Sequence, residues 1–356
     1  MVKSSVIKIW IGAGLVLLAL FSMAGCRDAA APTASAVSAN TITAAITPPE
    51  PTESSLPAPA ATGTAVPTET AIPTETPTPT GTPSPSPTPT SPPVRFAVIG
   101  DYGLAGAEAQ AVSELVKGWQ PDFIITTGDN NYPNGSAETI DENIGQYYAE
   151  YIFPYTGTFD PGTAVPIGQN RFFPTLGNHD WDAPGIDPYL TYFTLPGNER
   201  YYDFTWGPVH LFALDTDSRE PDGVSAGSVQ AAWLEERLAA SDLPWKIVYG
   251  HLSPYSSGIQ SGIAWMDWPF QAWGATVLLA AHDHLYERIV RDGFPILING
   301  LGGGPRYEFE EIVPGSELRY RDKHGAVLIT ADWRQITFQF FAVGGELIDE
   351  YRIENS

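Results

Sequence analysis

VRFAVIGDYGLAGAEAQAVSELVKGWQPDFIITTGDNNY, residues 94–132, is the stretch from which the fold is read. Phe96 to Ile99 is a short apolar run of the kind that forms a buried strand, and Phe123 to Thr126 is a second. Between them, Ala107 to Trp119 places Ala111, Leu115 and Val116 at the spacing of one helix face. The segment therefore opens the fold as β-α-β.

Working downstream, further strands are expected at Phe172 to Leu176, Val209 to Leu214, Trp245 to Tyr249, Thr276 to Ala280 and Pro295 to Ile298. A helix is expected at Val229 to Ala240. Beyond Ala326 the chain becomes β-rich and closes with Leu347 to Ile353. Alternation followed by antiparallel strands makes the domain, residues 94–356, an α/β layered sandwich with mixed sheets.

Upstream the composition changes abruptly. Residues 28–93 hold 16 of the 33 prolines and 16 threonines, with five acids, no base and no aromatic residue. Such a segment has too little apolar surface to fold alone, so 27–93 is expected to be a disordered Pro/Thr/Ser-rich linker with polyproline II character. Residues 1–26 read as a bacterial export signal, with Lys3 and Lys8 before an apolar run from Ile9 to Met23. That run is shorter than the roughly 20 residues a membrane span requires. Cys26 is the single cysteine, which excludes an intramolecular disulfide. Ser22-Met23-Ala24-Gly25-Cys26 resembles the lipobox of bacterial lipoproteins, and the resemblance implies lipidation of Cys26 and an extracytoplasmic protein tethered to a bacterial membrane.

The formal net charge is −23, and residues 94–356 carry 36 acids against 15 bases. A nucleic-acid face needs clustered Lys and Arg to displace counterions, so no such surface is expected. An acidic domain that handles an anion requires a local positive source, and metal cations can supply it.

Residues with metal-binding side chains follow the apolar runs in five blocks: Gly100-Asp101-Tyr102-Gly103, Gly128-Asp129-Asn130-Asn131-Tyr132, Gly177-Asn178-His179-Asp180, Gly250-His251 and His282-Asp283-His284. Loops at strand ends can bring distant side chains to one crevice. A lone Gly-Asp is usually a turn. In the His-x-His pair, alternate residues of a strand would point both imidazoles to one side. His210 and His324 read as structural, Gly302-Gly303-Gly304-Pro305-Arg306 as a tight connection, and Trp181, Trp265 and Trp268 as core or rim packing.

In that order the blocks resemble the calcineurin-like metallophosphoesterases, and more narrowly the short, single-domain purple acid phosphatases, over about Phe96 to Arg288. The narrower resemblance rests on Asp101-Tyr102-Gly103, where the wider superfamily has Asp-x-His, and on Tyr132 three residues after Asp129. It implies two mixed β-sheets flanked by helices. It also implies a binuclear centre with Asp101, Asp129, Tyr132 and His284 on one metal and Asp129, Asn178, His251 and His282 on the other. The phenol suits Fe(III), beside a divalent Fe, Zn or Mn. Five positive charges against three anionic ligands would leave two, which matches a phosphate monoester dianion. The ions would activate a hydroxide for in-line attack, with Asn178 and His179 on the substrate and His179 assisting the leaving oxygen. The family often has another histidine after the fourth block; Leu252 to Ile263 contains none, and Gln260 lies near that place. Ala281 replaces the glycine common before His-x-His. The expected activity is phosphate monoester hydrolysis, against a phosphodiesterase or nucleotidase with two divalent ions and, third, a non-enzymatic surface binding protein.

Overall fold

The structure is a computed structural model, and it describes residues 92–160, 162, 168–182 and 185–355. The expected export signal, Cys26 and all of the linker except Pro92 and Pro93 lie outside the described residues. The strands in chain order are β1 (Val94–Ile99), β2 (Phe123–Thr126), β3 (Phe172–Pro174), β4 (Tyr202–Trp206), β5 (Val209–Ala213), β6 (Trp245–Tyr249), β7 (Val277–Ala280), β8 (Tyr286–Arg291), β9 (Phe294–Asn299), β10 (Ser316–Tyr320), β11 (Gly325–Ala331), β12 (Gln335–Ala342) and β13 (Glu346–Glu354). The α-helices are α1 (Ala107–Gly118), α2 (Gln146–Tyr148), α3 (Asn178–Trp181), α4 (Asp187–Tyr192) and α5 (Val229–Ala239). No helix of the described residues is long and apolar enough to cross a membrane.

Two mixed sheets result, as the sequence leads one to expect. One has the order β13-β12-β11-β1-β2-β3, with β1, β2 and β3 parallel and β11, β12 and β13 joined antiparallel. The other has the order β10-β8-β9-β7-β6-β5-β4, with β5, β6, β7 and β9 parallel. The sheets face each other through rings such as Phe123, which lies 5.7 Å from Phe204 and 4.9 Å from Trp206 between centroids, and Tyr286, stacked on Phe340 at 4.1 Å.

Alternation along each strand explains why the central strands read as unbroken apolar runs. Leu211, Ile247 and Leu279 enter the core between the sheets, while their neighbours Phe212, Val248 and Leu278 enter a second core with Leu234 and Leu238 of α5. On the other sheet, α1 contributes Ala109, Val112 and Val116 to the burial. Ser228 caps α5 by accepting a hydrogen bond from the Ala231 amide at 3.1 Å.

The structure departs from expectation in particular places. β4, β8 and β10 were not anticipated, because charged and polar residues interrupt them. β8 and β9 form a hairpin through Asp292 and Gly293, both with positive φ (50° and 83°), as a two-residue I′-type turn requires. His282 and His284 do not lie on a strand. They occupy the bend after β7, and the backbone of His282 is left-handed, with φ 71°. What aims both rings is therefore a fixed bend rather than strand alternation.

The chain from β2 to α4 is tied by Asp141. Its Oδ1 accepts from the hydroxyls of Tyr155 (2.6 Å) and Tyr192 (2.8 Å), and its Oδ2 from the Thr158 amide and hydroxyl (both 2.8 Å). Partial burial disfavours the charge, but these donors outweigh it and hold the carboxyl below its usual range. A carboxyl depressed on folding stabilises the fold above its unfolded pKa and loses that contribution as the pH falls through the folded value. Asp141→Asn is therefore expected to destabilise the domain by about 2 kcal/mol at neutral pH, after allowing for solvent screening at this partly exposed site, with the gap closing below roughly pH 4. Urea unfolding of both proteins at pH 7 and pH 3 tests this, and an equal gap at the two pH values would contradict it.

Candidate metal centre

Five loops meet at the carboxyl ends of parallel strands. β1, β2 and β3 of one sheet deliver Asp101, Asp129 with Tyr132, and Asn178; β6 and β7 of the other deliver His251 and the His282–His284 bend. Turning these loops sharply strains the backbone, since Asp101 and Asp129 have φ of 53° and 52°. Asp tolerates this conformation better than most residues. Gly128, with φ 90°, has no substitute, because a Cβ there would come within 2.7 Å of His251 Nδ1. Gly177 is required for closeness instead, its missing Cβ falling 2.2 Å from Asp129 Oδ1.

The donor atoms form two sets that share one carboxylate. In the first, Tyr132 Oη lies 3.2 Å from Asp101 Oδ1, 3.0 Å from Asp129 Oδ2 and 3.1 Å from His284 Nε2. His284 Nε2 lies 3.2 Å from Asp101 Oδ1. In the second, His251 Nε2 lies 3.1 Å from Asn178 Oδ1, 3.2 Å from His282 Nδ1 and 3.5 Å from Asp129 Oδ1. Asp129 thus gives one oxygen to each. Ligands about 2.1 Å from a common ion are separated by roughly 3.0 to 3.4 Å, so the spacing fits coordination. One donor atom from each of Asp101, Asp129 and His251 lies within 4.8 Å of the other two.

Proton accounting supports the same conclusion. His251 Nδ1 faces the Thr127 carbonyl at 2.8 Å, and His284 Nδ1 faces the Pro305 carbonyl at 2.5 Å. A carbonyl only accepts, so in each neutral ring Nδ1 carries the proton and Nε2 presents a lone pair. His251 Nε2 then confronts an amide oxygen, a carboxylate oxygen and another ring nitrogen. In the first set, the single Tyr132 proton cannot satisfy three acceptors. Buried acceptors facing one another are costly, and cations would satisfy both groups.

The electrostatics of the protein alone agree. Burial works against the Asp101 charge, but His284, His251 and His282 overcome it and hold the carboxyl far below its usual range. Burial raises Asp129. It also raises Tyr132 far above the ordinary phenol value, with Asp101 and Asp129 adding to the effect. Burial, then His251, pushes His282 down to about 3. For His251 and His284 burial acts downward, but Asp101 and Asp129 raise both. Negative oxygen and competing protons are concentrated where positive charge is needed, and cation binding would displace the protons.

His179 stands beside the two sets. Its amide donates to Asp129 Oδ1 at 3.0 Å, its ring lies 4.5 Å from Tyr132, and its Nδ1 donates to the Pro133 carbonyl at 2.6 Å. Its Nε2 has no hydrogen-bond partner among the described residues, and its side chain is 34% exposed, so this nitrogen is available to a ligand. Gln260 is exposed nearby, its amide donating to Asp283 Oδ1 at 3.0 Å. His210, as expected, is remote and structural, held between Asp203 and Ser241 at 2.8 Å each. His324, as expected, is structural: its Nε2 donates to the Gly304 carbonyl at 2.9 Å. Trp181 is a rim residue, bonded to buried Asp215.

Several supporting residues were not singled out from the sequence. Asp180 is buried and accepts from the Gly177 amide (2.8 Å) and from both nitrogens of Asn130, tying α3 to the β2 loop. Burial and Asp129 push its carboxyl up to about 7. Arg219 donates to the Asn178 carbonyl at 2.9 Å while paired with Asp217. The His282 amide donates to Asp101 Oδ2 at 3.0 Å, which leaves Oδ1 to the first set. Spatial partners of this kind leave no periodic trace in the chain.

Comparison with known proteins places this geometry in context. The chain is 25% identical over 293 residues to purple acid phosphatase 17 of Arabidopsis thaliana, covering 72% of this chain and 83% of that one. It is 22% identical over 314 residues to human tartrate-resistant acid phosphatase type 5, covering 74% and 91%. Among solved structures, the purple acid phosphatase PPD1 of yellow lupin superposes with a TM-score of 0.60 at 20% identity, covering 76% of this chain and 55% of that one. GAP50, the anchor in the inner membrane complex of Plasmodium, superposes with a TM-score of 0.59 at 17% identity, covering 75% and 90%. The calcineurin-like phosphoesterase model matches residues 94–286, more than half of the chain. With the strand-end loops, the shared carboxylate and this match together, the chain belongs to the calcineurin-like phosphoesterase family and is an acid phosphatase-like metallophosphoesterase.

Proposed function

We propose that this protein hydrolyses phosphate monoesters at a binuclear centre held by Asp101, Asp129, Tyr132 and His284 on one side and Asp129, Asn178, His251 and His282 on the other. The observation that carries this reading is the division of the Asp129 carboxylate, one oxygen to each donor set. The phenol and two carboxylates of the first set are hard anionic oxygens suited to Fe(III); the neutral amide and two imidazoles of the second suit divalent Fe, Zn or Mn. When bound, two such cations supply the positive charge that lowers the pKa of water and neutralises a phosphoryl group.

The chain's own residues set the rest. Thr127 and Pro305 fix the tautomers of His251 and His284. The His282 amide orients Asp101, and the His179 amide orients Asp129. Asn178 and the free Nε2 of His179 face the substrate, and His179 holds or delivers a proton at the leaving oxygen. Leu252 to Ile263 contains no histidine, and His282 and His284 belong to the donor sets, which leaves His179 as the imidazole for that task.

The domain boundaries follow the same reading, with 94–356 as the catalytic domain, 27–93 as a linker and 1–26 as an export signal. Lipidation at Cys26 would hold the enzyme outside the cytoplasm on a bacterial membrane, with a phosphate ester as its substrate.

Three outcomes are expected. Purified protein should contain iron together with a second metal and should hydrolyse an aryl phosphate monoester in preference to the matching diester; a diester preference with two divalent ions and no iron would replace the monoesterase reading. Tyr132→Phe should abolish any visible phenolate-to-iron absorption and lower kcat/KM by at least roughly tenfold, equivalent to about 1.4 kcal/mol; a surviving band would place the chromophore elsewhere. Cys26→Ser should move the protein from the detergent-soluble membrane fraction to the aqueous fraction of a producing bacterium, and unchanged partitioning would exclude a lipid anchor at this residue.

A further inference from the structure

The ring of His284 has a neighbour that neither donor set uses. Tyr307 lies face to face with it, at 4.1 Å between centroids and an interplanar angle of 4°. The Tyr307 amide donates to the His284 carbonyl at 3.0 Å, which fixes the start of the 307–311 segment against the metal-binding bend. This segment is joined to 257–262 by a bridge between Gly258 and Phe309 and by the Glu310 amide donating to the Ser257 carbonyl at 2.8 Å. The second segment is in turn fixed to the bend, through the Gln260 amide on Asp283 Oδ1. Two loops, each anchored next to a donor residue, thus make one wall.

The exposed chemistry of that wall is mixed in a particular way. Tyr307 is only partly buried, and the Gln260 side chain lies beside its hydroxyl. Ile259, in the same segment as Gln260, is 41% exposed and offers an aliphatic surface there. The surrounding charges are acidic: Glu308, Glu310 and Glu311 are exposed, and only Glu308 is paired among the described residues, with Arg321 at 2.7 Å. A wall with an aromatic face, an aliphatic side chain and an amide favours a flat organic group and can hydrogen-bond its edge. The acids disfavour further phosphate or carboxylate on the same group.

We propose that Tyr307 is a specificity-determining residue, and that its wall with Ile259 and Gln260 receives the alcohol part of the ester and favours an uncharged aromatic group. The proposal rests on the phosphate monoesterase reading and adds the substrate class to it. The phosphoryl group is held by the centre and His179, and the wall acts on the part of the substrate that leaves.

The test uses the metal-loaded full-length protein, with phenylphosphonate and inorganic phosphate as ligands in titration calorimetry and with phenyl phosphate and glycerol phosphate as substrates. Tyr307→Ala is expected to weaken phenylphosphonate about 3- to 10-fold while changing inorganic phosphate by less than about 2-fold, and to lower kcat/KM for phenyl phosphate selectively. Tyr307→Phe, which keeps the ring, should retain most of the preference. Ile259→Ser, on an exposed residue with little bearing on folding, should weaken phenylphosphonate about 2-fold and leave phosphate unchanged. Equal weakening of both ligands by Tyr307→Ala would make Tyr307 a support for His284 and overturn the proposal, as would unchanged selectivity in both Tyr307→Ala and Ile259→Ser. Wild-type protein that holds both metals yet binds neither ligand and cleaves neither ester would remove the monoesterase reading itself, and the wall's role with it.

Discussion

Buried groups that all accept protons cannot be placed together without something positive between them, and this constraint governs the site. The Nε2 lone pairs of His251 and His284 are fixed by the carbonyls of Thr127 and Pro305, which are backbone atoms of neighbouring loops. Once these tautomers are set, the ring nitrogens, the two aspartates, the amide oxygen of Asn178 and the phenol of Tyr132 have more lone pairs than available protons. With both rings neutral, hydrogen bonding within the protein leaves acceptors facing one another, and cations would satisfy them. The shared Asp129 makes the two halves one electrostatic unit, so a change in either affects the other.

Holding that arrangement requires rigid support. The left-handed backbones at Asp101, Asp129 and His282 cost on the order of 1 to 3 kcal/mol each. Each fully buried aromatic side chain in the cores contributes about 1.5 to 3 kcal/mol, and Phe96, Phe123, Phe172, Phe212, Phe338 and Phe340 are all in that state. The strain is therefore small beside the packing that offsets it. The division of labour follows the topology, with short strands buried on both faces giving stiffness and the loops at their carboxyl ends giving chemistry. Because the donors come from both sheets, the core between them sets the distance across the site.

What could be read from the chain follows from the range of the interactions involved. β2 and β6 have the bounds expected of them because nearly all of their residues are buried on both faces, Lys246 alone being half-buried, and the apolar runs end at turn residues. β8 was harder to see, since Glu287 lies within it. That glutamate is fully buried only because the hydroxyls of Ser257 and Ser316 and the Ser257 amide surround it, and those partners are some 30 residues away. The metal-binding residue types were legible as ordered blocks, yet the reason the His282–His284 pair converges was not, because it depends on a left-handed bend. Asp180 directly follows His179 in the chain, but its bracing of Asn130 exists only once β2 and β3 lie side by side. Tyr307 stood outside every block, and only the stacking on His284 brings it into view.

The place where the chain enters the domain has a mechanical meaning. Pro92 and Pro93 lie with Asp122, Trp206, Pro208 and Trp333 in a groove at the end of the sheets where β1 and β2 begin. The donor loops leave the other end, with β1 spanning roughly 20 Å between the two. Tension applied through the upstream chain would thus be borne by strand pairing at the base and would not pull on the loops that hold the donors. The donor loops lie at the end opposite the chain's entry, so the proposed leash, if attached there, would limit how far the domain roams without obstructing what diffuses into the site.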